Sequence, residues 1–557
     1  MNHKTLRNTP APQFAMKPLA LCIAALFALP SLAAPPAANA LPEGGRISAG
    51  QASISQSGNR MDITQGSNRT VLDWNSFNIG SNARVDFIQP NASASALNRV
   101  STGDASRIYG QLNANGQVWL INPAGVVFGA GSKVDVGGLV ASTLDTLNSD
   151  FMNGKAEFKG SGGNVLNQGN LHAKDGGTIA LIGNQSINEG VISAKLGNVV
   201  LAAGNKVTLN NGADGRLQVA VDPATLNTLV ENRQLIQADG GQILMTSSAA
   251  GQLRSAVVSN SGTLQARTIA NHQGKILLLS DMQQGQTNVG GTLDASAPQG
   301  GDGGFIETSG AKVNIASNAH ITTNTNNGKT GTWLVDPQDF TIAASGGDMT
   351  GLALSTQLDS TNVTLQSSSG ATAGSGDLNV NDSVSWGANN TLTLQAERNV
   401  NINANITATG DTAGLTLTPA GAGTYNLNNG AQINLSGATP SLNIAGTTYT
   451  VINDVNALQA MNGDLAGNYA LGSNIDASAT AGWNSGAGFV PVGAGFVSPG
   501  LSLTYASFPD NSFHGVFDGF NHTITGLDSV VTRYGATRRD SEFAQQQGMT
   551  KAVSCNA

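Results

Sequence analysis

A short internal repeat restricts this chain more than any other feature. Residues 176–187, GGTIALIGNQSI, and residues 197–208, GNVVLAAGNKVT, superpose at an offset of about 20 residues, matching Ile179 with Val199, Leu181 with Leu201 and Ile187 with Val207. NQGNLHA (167–173) and NEGVISA (188–194) superpose in the same way, and the phrase returns as NSGTLQA (260–266) and, loosened, as NVGGTLDA (288–295). Each unit holds two or three runs that alternate apolar and polar, separated by Gly or Asn. A unit this short cannot bury its apolar face alone, so the units must stack. Stacked strands pair in parallel with the coils above and below, alternate side chains fill a narrow core, and Asn amides form ladders at the turns. The fold expected is all-β, a right-handed parallel β-helix of roughly 20 coils rising about 4.8 Å each, hence a rod near 100 Å long. One short inserted helix is expected after Asp222-Pro223, an N-cap followed by a proline, with Leu226, Leu229 and Val230 as its apolar stripe.

Composition agrees with a packed solenoid. The 557 residues are 40% hydrophobic and carry a net charge of −8, which argues against ordinary disorder. The 70 glycines suit a chain with many tight turns. Mild acidity without a basic stripe argues against nucleic acid as a partner.

The N-terminus reads as an export address over residues 1–40. Lys4, Arg7 and Lys17 precede an apolar run from Leu19 to Leu29, too short to span a bilayer, and Ala38-Asn39-Ala40 offers small residues at the positions a signal peptidase reads, with cleavage expected before Leu41. No retained membrane anchor is expected. Cys22 follows Leu21 near the start of the apolar run, which does not suit lipoprotein processing. Cys555 is then the one mature cysteine, so no intrachain disulfide can form. That suits a chain that crosses a second membrane unfolded; equally, many exported bacterial proteins simply lack cysteine.

Asn122-Pro123-Ala124-Gly125 interrupts two apolar runs, Val118 to Ile121 and Val126 to Phe128, with the residue preferences of a type I turn. On its own it reads as a rigid corner between runs that fold against each other. Its surroundings add more: LPEGG directly after the signal, the strand bearing Trp74 and Phe77, the phrase Asn98-Arg99-Val100 and then the Asn-Pro turn occur in order. From residue 41 to about 300 the chain resembles the N-terminal secretion domain of the filamentous haemagglutinin family, exoproteins of two-partner secretion in Gram-negative bacteria. The resemblance implies a β-helical domain recognised by a dedicated outer-membrane transporter, with Asn98, Arg99, Asn122, Pro123 and Gly125 as the secretion and folding motif. The family's Asn-Pro-Asn-Gly-Ile reads Asn122-Pro123-Ala124-Gly125-Val126 here, and a second Asn-Pro-Asn-Leu motif is absent from the sequence.

GTWLVDPQDFTI (331–342) is similar to a phrase that follows the secretion domain in such exoproteins and marks a boundary. Residues 301–445 are expected to continue the solenoid in low-complexity sequence. Residues 446–527 resemble the GLUG repeat region of surface adhesins, the likeness carried by Gly515, Phe517, Asp518 and Gly519. From residue 528 the Gly/Asn turns stop and Arg533, Arg538, Arg539, Asp540, Glu542 and Lys551 crowd together. That tail reads as a frame shifted or ended early just after Leu527, or as a natural polar terminus; a non-native tail has no coil to stack on and is expected to be disordered.

Catalytic patterns are sparse. Glycoside hydrolysis needs two carboxylates facing each other, and Asp302, Glu307 and Asp336 stand apart in sequence. The histidines are scattered without metal spacing, GGDGG (300–304) is one partial copy of a calcium-binding repeat, and neither a phosphate loop nor a nucleophile elbow occurs. No enzyme, metal or cofactor is expected. The reading is a secreted or surface-exposed adhesin-like exoprotein whose partners are the outer-membrane transporter and host-cell or matrix glycans or proteins. The alternatives are a β-helical carbohydrate-active enzyme and the N-terminal part of a contact-dependent toxin.

Overall fold

A computed structural model describes residues 34–212, 216–251, 255–368, 375–493, 512–533 and 536–539. The signal segment up to Ala33, both cysteines and the tail beyond Arg539 lie outside the described residues. Residues 1–34 and 35–557 form separate units, and the following concerns the second.

This unit is a parallel β-helix. One sheet runs in parallel register from Arg69–Trp74 through Ser95–Val100, Gln117–Ile121, Gly138–Ser142, Thr178–Gly183 and Asn198–Ala203, and continues to Ser441–Ile444. A second sheet extends to His320–Thr322 and a third, beginning at Ser106–Ile108, to Lys312–Ile315. The repeat is visible directly in the ladder: Ile179 pairs with Val199, Leu181 with Leu201, Asn167 with Asn188, and Leu171 with Ile192. Inward side chains then form columns. Ile179, Val199, Ile243, Ile276, Ile306, Trp333, Val363, Leu392 and Leu415 stand one above the next, all fully buried. Each such side chain contributes about 1.5–3 kcal/mol on burial, which explains how a chain with no disulfide among its described residues holds together.

Asn ladders form where the repeat phrase placed them. Asn167 Nδ2 donates to Asn188 Oδ1 at 2.7 Å, Asn188 to Asn232 at 2.8 Å and Asn232 to Asn260 at 2.8 Å, all four residues buried. The copy at 288–295 breaks the series, because Val289 rather than Asn288 stands opposite Asn260.

Two local expectations are overturned. Val207 does not stack on Ile187, whose partner is Glu231. Instead Lys206–Asn211 pairs antiparallel with Ala156–Lys159 and Leu217–Asp222, forming a three-stranded flap. The flap covers the outer side of the first sheet, which explains why runs such as VWLI and TIALIG are apolar at successive positions rather than alternate ones. Trp119 projects outward and packs between Phe151 and Phe158, ring centroids 5.0 and 5.3 Å away. The helix expected after Asp222-Pro223 is also absent. Leu229 and Val230 lie in the strand Thr228–Asn232, paired with Gln185 and Ser186, while Leu226 is exposed. The parallel ladder pairs Leu229 and Val230 with the coils on both sides, and the single helical stripe does not compete with it.

Among the described residues the α-helices lie elsewhere: α1, Asn148–Met152; α2, Gly351–Leu358; and α3, Val455–Ala460. α2 closes the second sheet. Gln357 Oε1 accepts from Ile321 N at 2.8 Å and its Nε2 donates to Ala319 O at 3.0 Å, so one side-chain amide takes the place of the next strand. Beyond it two new sheets begin, at Phe340–Ile342 and Val384–Trp386, on the continuing first sheet. Their outward Asn residues also form ladders: Asn401 donates to Asn379 and Asn426 to Asn401, each at 3.0 Å.

Candidate functional site

The Asn-Pro turn is a corner between sheets. Gln117–Ile121 belongs to the first sheet and Val126–Phe128 to the third, so the two runs do not pair with each other; each pairs with coils on both sides. This corrects the expectation that they fold against one another. The turn itself forms as expected: Gly125 N donates to Asn122 O at 3.0 Å, and the Asn122 side chain accepts from Ala124 N at 3.0 Å. Asn122 is fully buried, and its Nδ2 donates to Asp104 O at 2.9 Å and Ser106 Oγ at 3.0 Å in the preceding coil. Pro123 O accepts from Gly163 N at 2.8 Å in the following coil, and Gly125 O accepts from Ser106 N at 3.0 Å. The corner therefore bonds to the coils before and after it. Gly125 has φ +133°, a conformation that L side chains avoid, and a Cβ there would stand 3.3 Å from both Ala105 Cβ and Asn164 O.

Asn98 and Arg99 sit beside this corner and face opposite ways, as neighbours in a strand must. Arg99 pairs with Ile121, the residue before Asn122. Asn98 points inward and is fully buried; its Oδ1 accepts from Trp74 Nε1 at 3.0 Å, and its Nδ2 donates to Ala96 O at 3.2 Å and Trp119 O at 3.3 Å. Arg99 points outward and grips the loop before α1 and the helix's first residue: Nε donates to Asp145 Oδ1 at 2.9 Å, Nη1 to Asn148 Oδ1 at 2.6 Å and Nη2 to Thr146 O at 2.6 Å. Asp73 adds an ion pair at 3.6 Å. Nothing in the sequence pointed to Asp145 and Asn148, because the contact spans more than forty residues.

The second motif lies at the far end of the solenoid. Val516–Asp518 pairs with Asn468–Leu471, placing Phe517 opposite Tyr469. Asp518 is buried, accepts the Tyr425 hydroxyl and accepts from Phe520 N at 3.1 Å. A Cβ on Gly515 would fall 1.8 Å from Gly467 O, so only glycine fits there. The turn that follows meets the edge of the strand Ile433–Leu435: Asn521 Nδ2 donates to Ala431 O, and His522 Nε2 approaches Ile433 O, each at 2.8 Å. Burial holds the His522 imidazole below the ordinary histidine value, against the opposing pull of its bond to Ile433 O. Packing continues past Leu527, since Asp528 N donates to Thr480 Oγ1 at 2.8 Å and Phe489 N to Asp528 O at 2.7 Å. Residues Val530–Arg533 and Ala536–Arg539 pair antiparallel.

The carboxylates considered for catalysis have structural partners. Asp302 Oδ1 accepts from Lys329 N at 2.8 Å in the 300–304 loop. Glu307 and Asp336 come to adjacent strands, with Ser309 opposite Asp336. Ser309 Oγ donates to Glu307 at 3.0 Å and Ser368 Oγ to Asp336 at 2.7 Å; burial raises the Asp336 carboxyl, partly offset by that serine. Among the described residues no group of three or more His, Cys, Asp or Glu is placed to hold a metal ion. None of their helices is long and apolar enough to cross a membrane.

The flap, its strands lying within residues 156–222, and the Asn122 corner both belong to one segment of the parallel β-helix, and that segment matches a class of secretion domain. Residues 38–295 match the family model of the TPS secretion domain, the domain of two-partner secretion exoproteins. Over 252 residues the chain is 32% identical to a Heme/hemopexin-binding protein of Haemophilus influenzae, covering 43% of this chain and 27% of that protein. A second Haemophilus influenzae protein of the same name is 34% identical over 261 residues, covering 42% of this chain and 28% of its own length. The chain thus matches less than a third of the length of these relatives. The crystal structure of the HMW1 secretion domain from Haemophilus influenzae superposes with a TM-score of 0.52 at 23% identity, over 72% of this chain and all of that one. That likeness carries the fold alone.

Proposed function

We propose that this is a secreted or surface-exposed exoprotein of adhesin-like type, exported across the outer membrane by a dedicated two-partner transporter that recognises the segment beginning near Leu41. The observation that carries this reading is the coincidence of the secretion-domain match, residues 38–295, with the flap-covered part of the solenoid that contains the Asn122 corner. Parallel coils suit such a route physically. Each new coil needs only the edge of the previous one as template, so the chain can emerge unfolded and add coils in order.

The part beyond residue 300 adds coils whose outer faces carry rows of Asn and Thr, such as Thr364, Thr393 and Thr416 in register. We read these uncharged rows as the surface offered to host-cell or matrix glycans or proteins. The binding named for the Haemophilus relatives is not carried over, because the likeness spans about a quarter of their length.

The test is to express the intact chain in a Gram-negative host with and without a two-partner transporter from the same bacterium. Protein in the medium or on the cell surface only when the transporter is present supports the reading. Equal release without it refutes it. Release of soluble sugar from polysaccharide by the pure protein would favour an enzyme instead.

A further inference from the structure

Residues 37–40 are built into the solenoid rather than left outside it. Ala40 N donates to Ala37 O at 2.8 Å, closing a turn. Ala40 O then accepts from Gly80 N at 2.9 Å, and Ala38 O accepts from Asn82 N at 2.8 Å. The approach is too close for any other residue at position 80: a Cβ on Gly80 would fall 2.1 Å from Ala37 O and 2.4 Å from Ala38 O. Gly80 belongs to the first coil's corner, where its own carbonyl accepts from Ala83 N at 2.8 Å. Residues 37–40 therefore form a layer of the cap on the first coil.

Cleavage before Leu41 would remove that layer. The amides of Gly80 and Asn82 would lose their acceptors, each left to find water. A new α-ammonium at Leu41 would stand two bonds from where Ala40 O met Gly80 N, a positive group near a donor instead of an acceptor. Leu41 itself is buried, which makes a charge on its nitrogen costlier still. An alternative site lies upstream. Ser31-Leu32-Ala33 also supplies small residues at the two positions a signal peptidase reads, and it follows the apolar run more closely than Ala38-Asn39-Ala40 does. The secretion-domain match likewise begins at residue 38, before Leu41.

We infer that the signal peptidase cuts between Ala33 and Ala34, and that residues 34–40 remain in the mature protein, 37–40 among them acting as a clasp on the first coil. This rests on the reading of the N-terminus as an export signal. The clasp explains why Gly80 is glycine, since the three atoms nearest to a Cβ there all belong to Ala37 and Ala38.

Two measurements test it. The first is N-terminal sequencing of the full chain recovered from the periplasm or medium of a Gram-negative host. A start at Ala34-Pro35-Pro36 supports the inference. A start at Leu41 overturns it while keeping the export reading, and an uncut start at Met1 overturns the export reading and the inference with it. The second compares purified chains that begin at Ala34 or at Leu41, each with and without Gly80→Ala. The longer chain should melt several degrees higher, and Gly80→Ala should lower its melting temperature while leaving the shorter chain nearly unchanged. Equal melting of the two parents, or an equal loss from Gly80→Ala in both, would show that the clasp does not form.

Discussion

Trp74, stacked on Val100, meets Asn98 inside the solenoid, indole Nε1 to amide Oδ1 at 3.0 Å, where Asn98 stands between Leu72 and Leu120 in a neighbouring column of inward side chains. The same column becomes polar again at Thr308, whose Oγ1 accepts from Trp333 Nε1 at 3.1 Å. Each of these two buried tryptophans is thus answered by a polar residue from a neighbouring coil, as a buried indole N–H requires. Replacing Asn98 by Leu leaves that N–H unpaired and should destabilise the protein by about 1–3 kcal/mol. Trp74→Phe combined with Asn98→Leu should recover much of the loss caused by Asn98→Leu alone. Denaturant melts of the two single variants and the double variant check this; strict additivity would show that the pair does not interact.

The corner should act through its geometry. Gly125→Val forces a β-branched residue to φ +133° and against Asn164 O, at a cost of about 1–3 kcal/mol. Pro123→Leu loosens the turn without a clash, since Pro123 is exposed. Ala124→Asn, also at an exposed position, restores the residue of the resembling family and should be nearly silent. Pulse-chase secretion rates are expected to rank Gly125→Val slowest, then Pro123→Leu, with Ala124→Asn near the parent. Equal rates for all three would leave only an ordinary corner.

Arg99 holds the loop before α1, and with it one edge of the flap. Arg99→Met keeps the stem but removes the bonds to Asp145, Thr146 and Asn148. Residues 145–159, which span the loop, α1 and the first flap strand, should then exchange amide hydrogens at least tenfold faster, with the inner columns unchanged, because the clamp lies outside the core. Hydrogen exchange read by mass spectrometry distinguishes this from global destabilisation, in which protection would fall everywhere.

The far cap should be sensitive to acid. His522 is buried and its value is depressed, so the unfolded chain binds the proton more readily than the folded one. Its contribution is present above the ordinary histidine value of 6.5 and is lost as pH falls through the lower folded value. Melting temperature or protease resistance of residues 446–527 should decline on acidification below about pH 6.5, and His522→Gln should flatten that decline. A decline unchanged by the substitution would assign the acid sensitivity to another group.

The repeat made the solenoid legible because ladder register is a sequence property: Ile179 over Val199 and Asn167 over Asn188 follow from spacing alone. The flap was not legible. Its strand Lys206–Asn211 alternates just as a coil strand does, and only the outward apolar residues Trp119, Val140 and Val200, buried under it, betray a second layer. For the same reason Leu229 and Val230 suggested a helix while serving as a strand. At the corner, the turn could be read from Asn122, Pro123 and Gly125. Its bonds to Asp104 and Gly163 could not, since they join coils whose relative placement exists only once the chain has folded.

The segment from Leu41 onward is expected to direct export. Deleting residues 41–143 while keeping the signal removes the first coils, the corner and Arg99, and leaves the rest of the chain intact. With the transporter present, quantitative immunoblots of medium and periplasm should show the deleted protein held in the periplasm and the intact protein outside the cell. Equal amounts of the two in the medium would contradict the account.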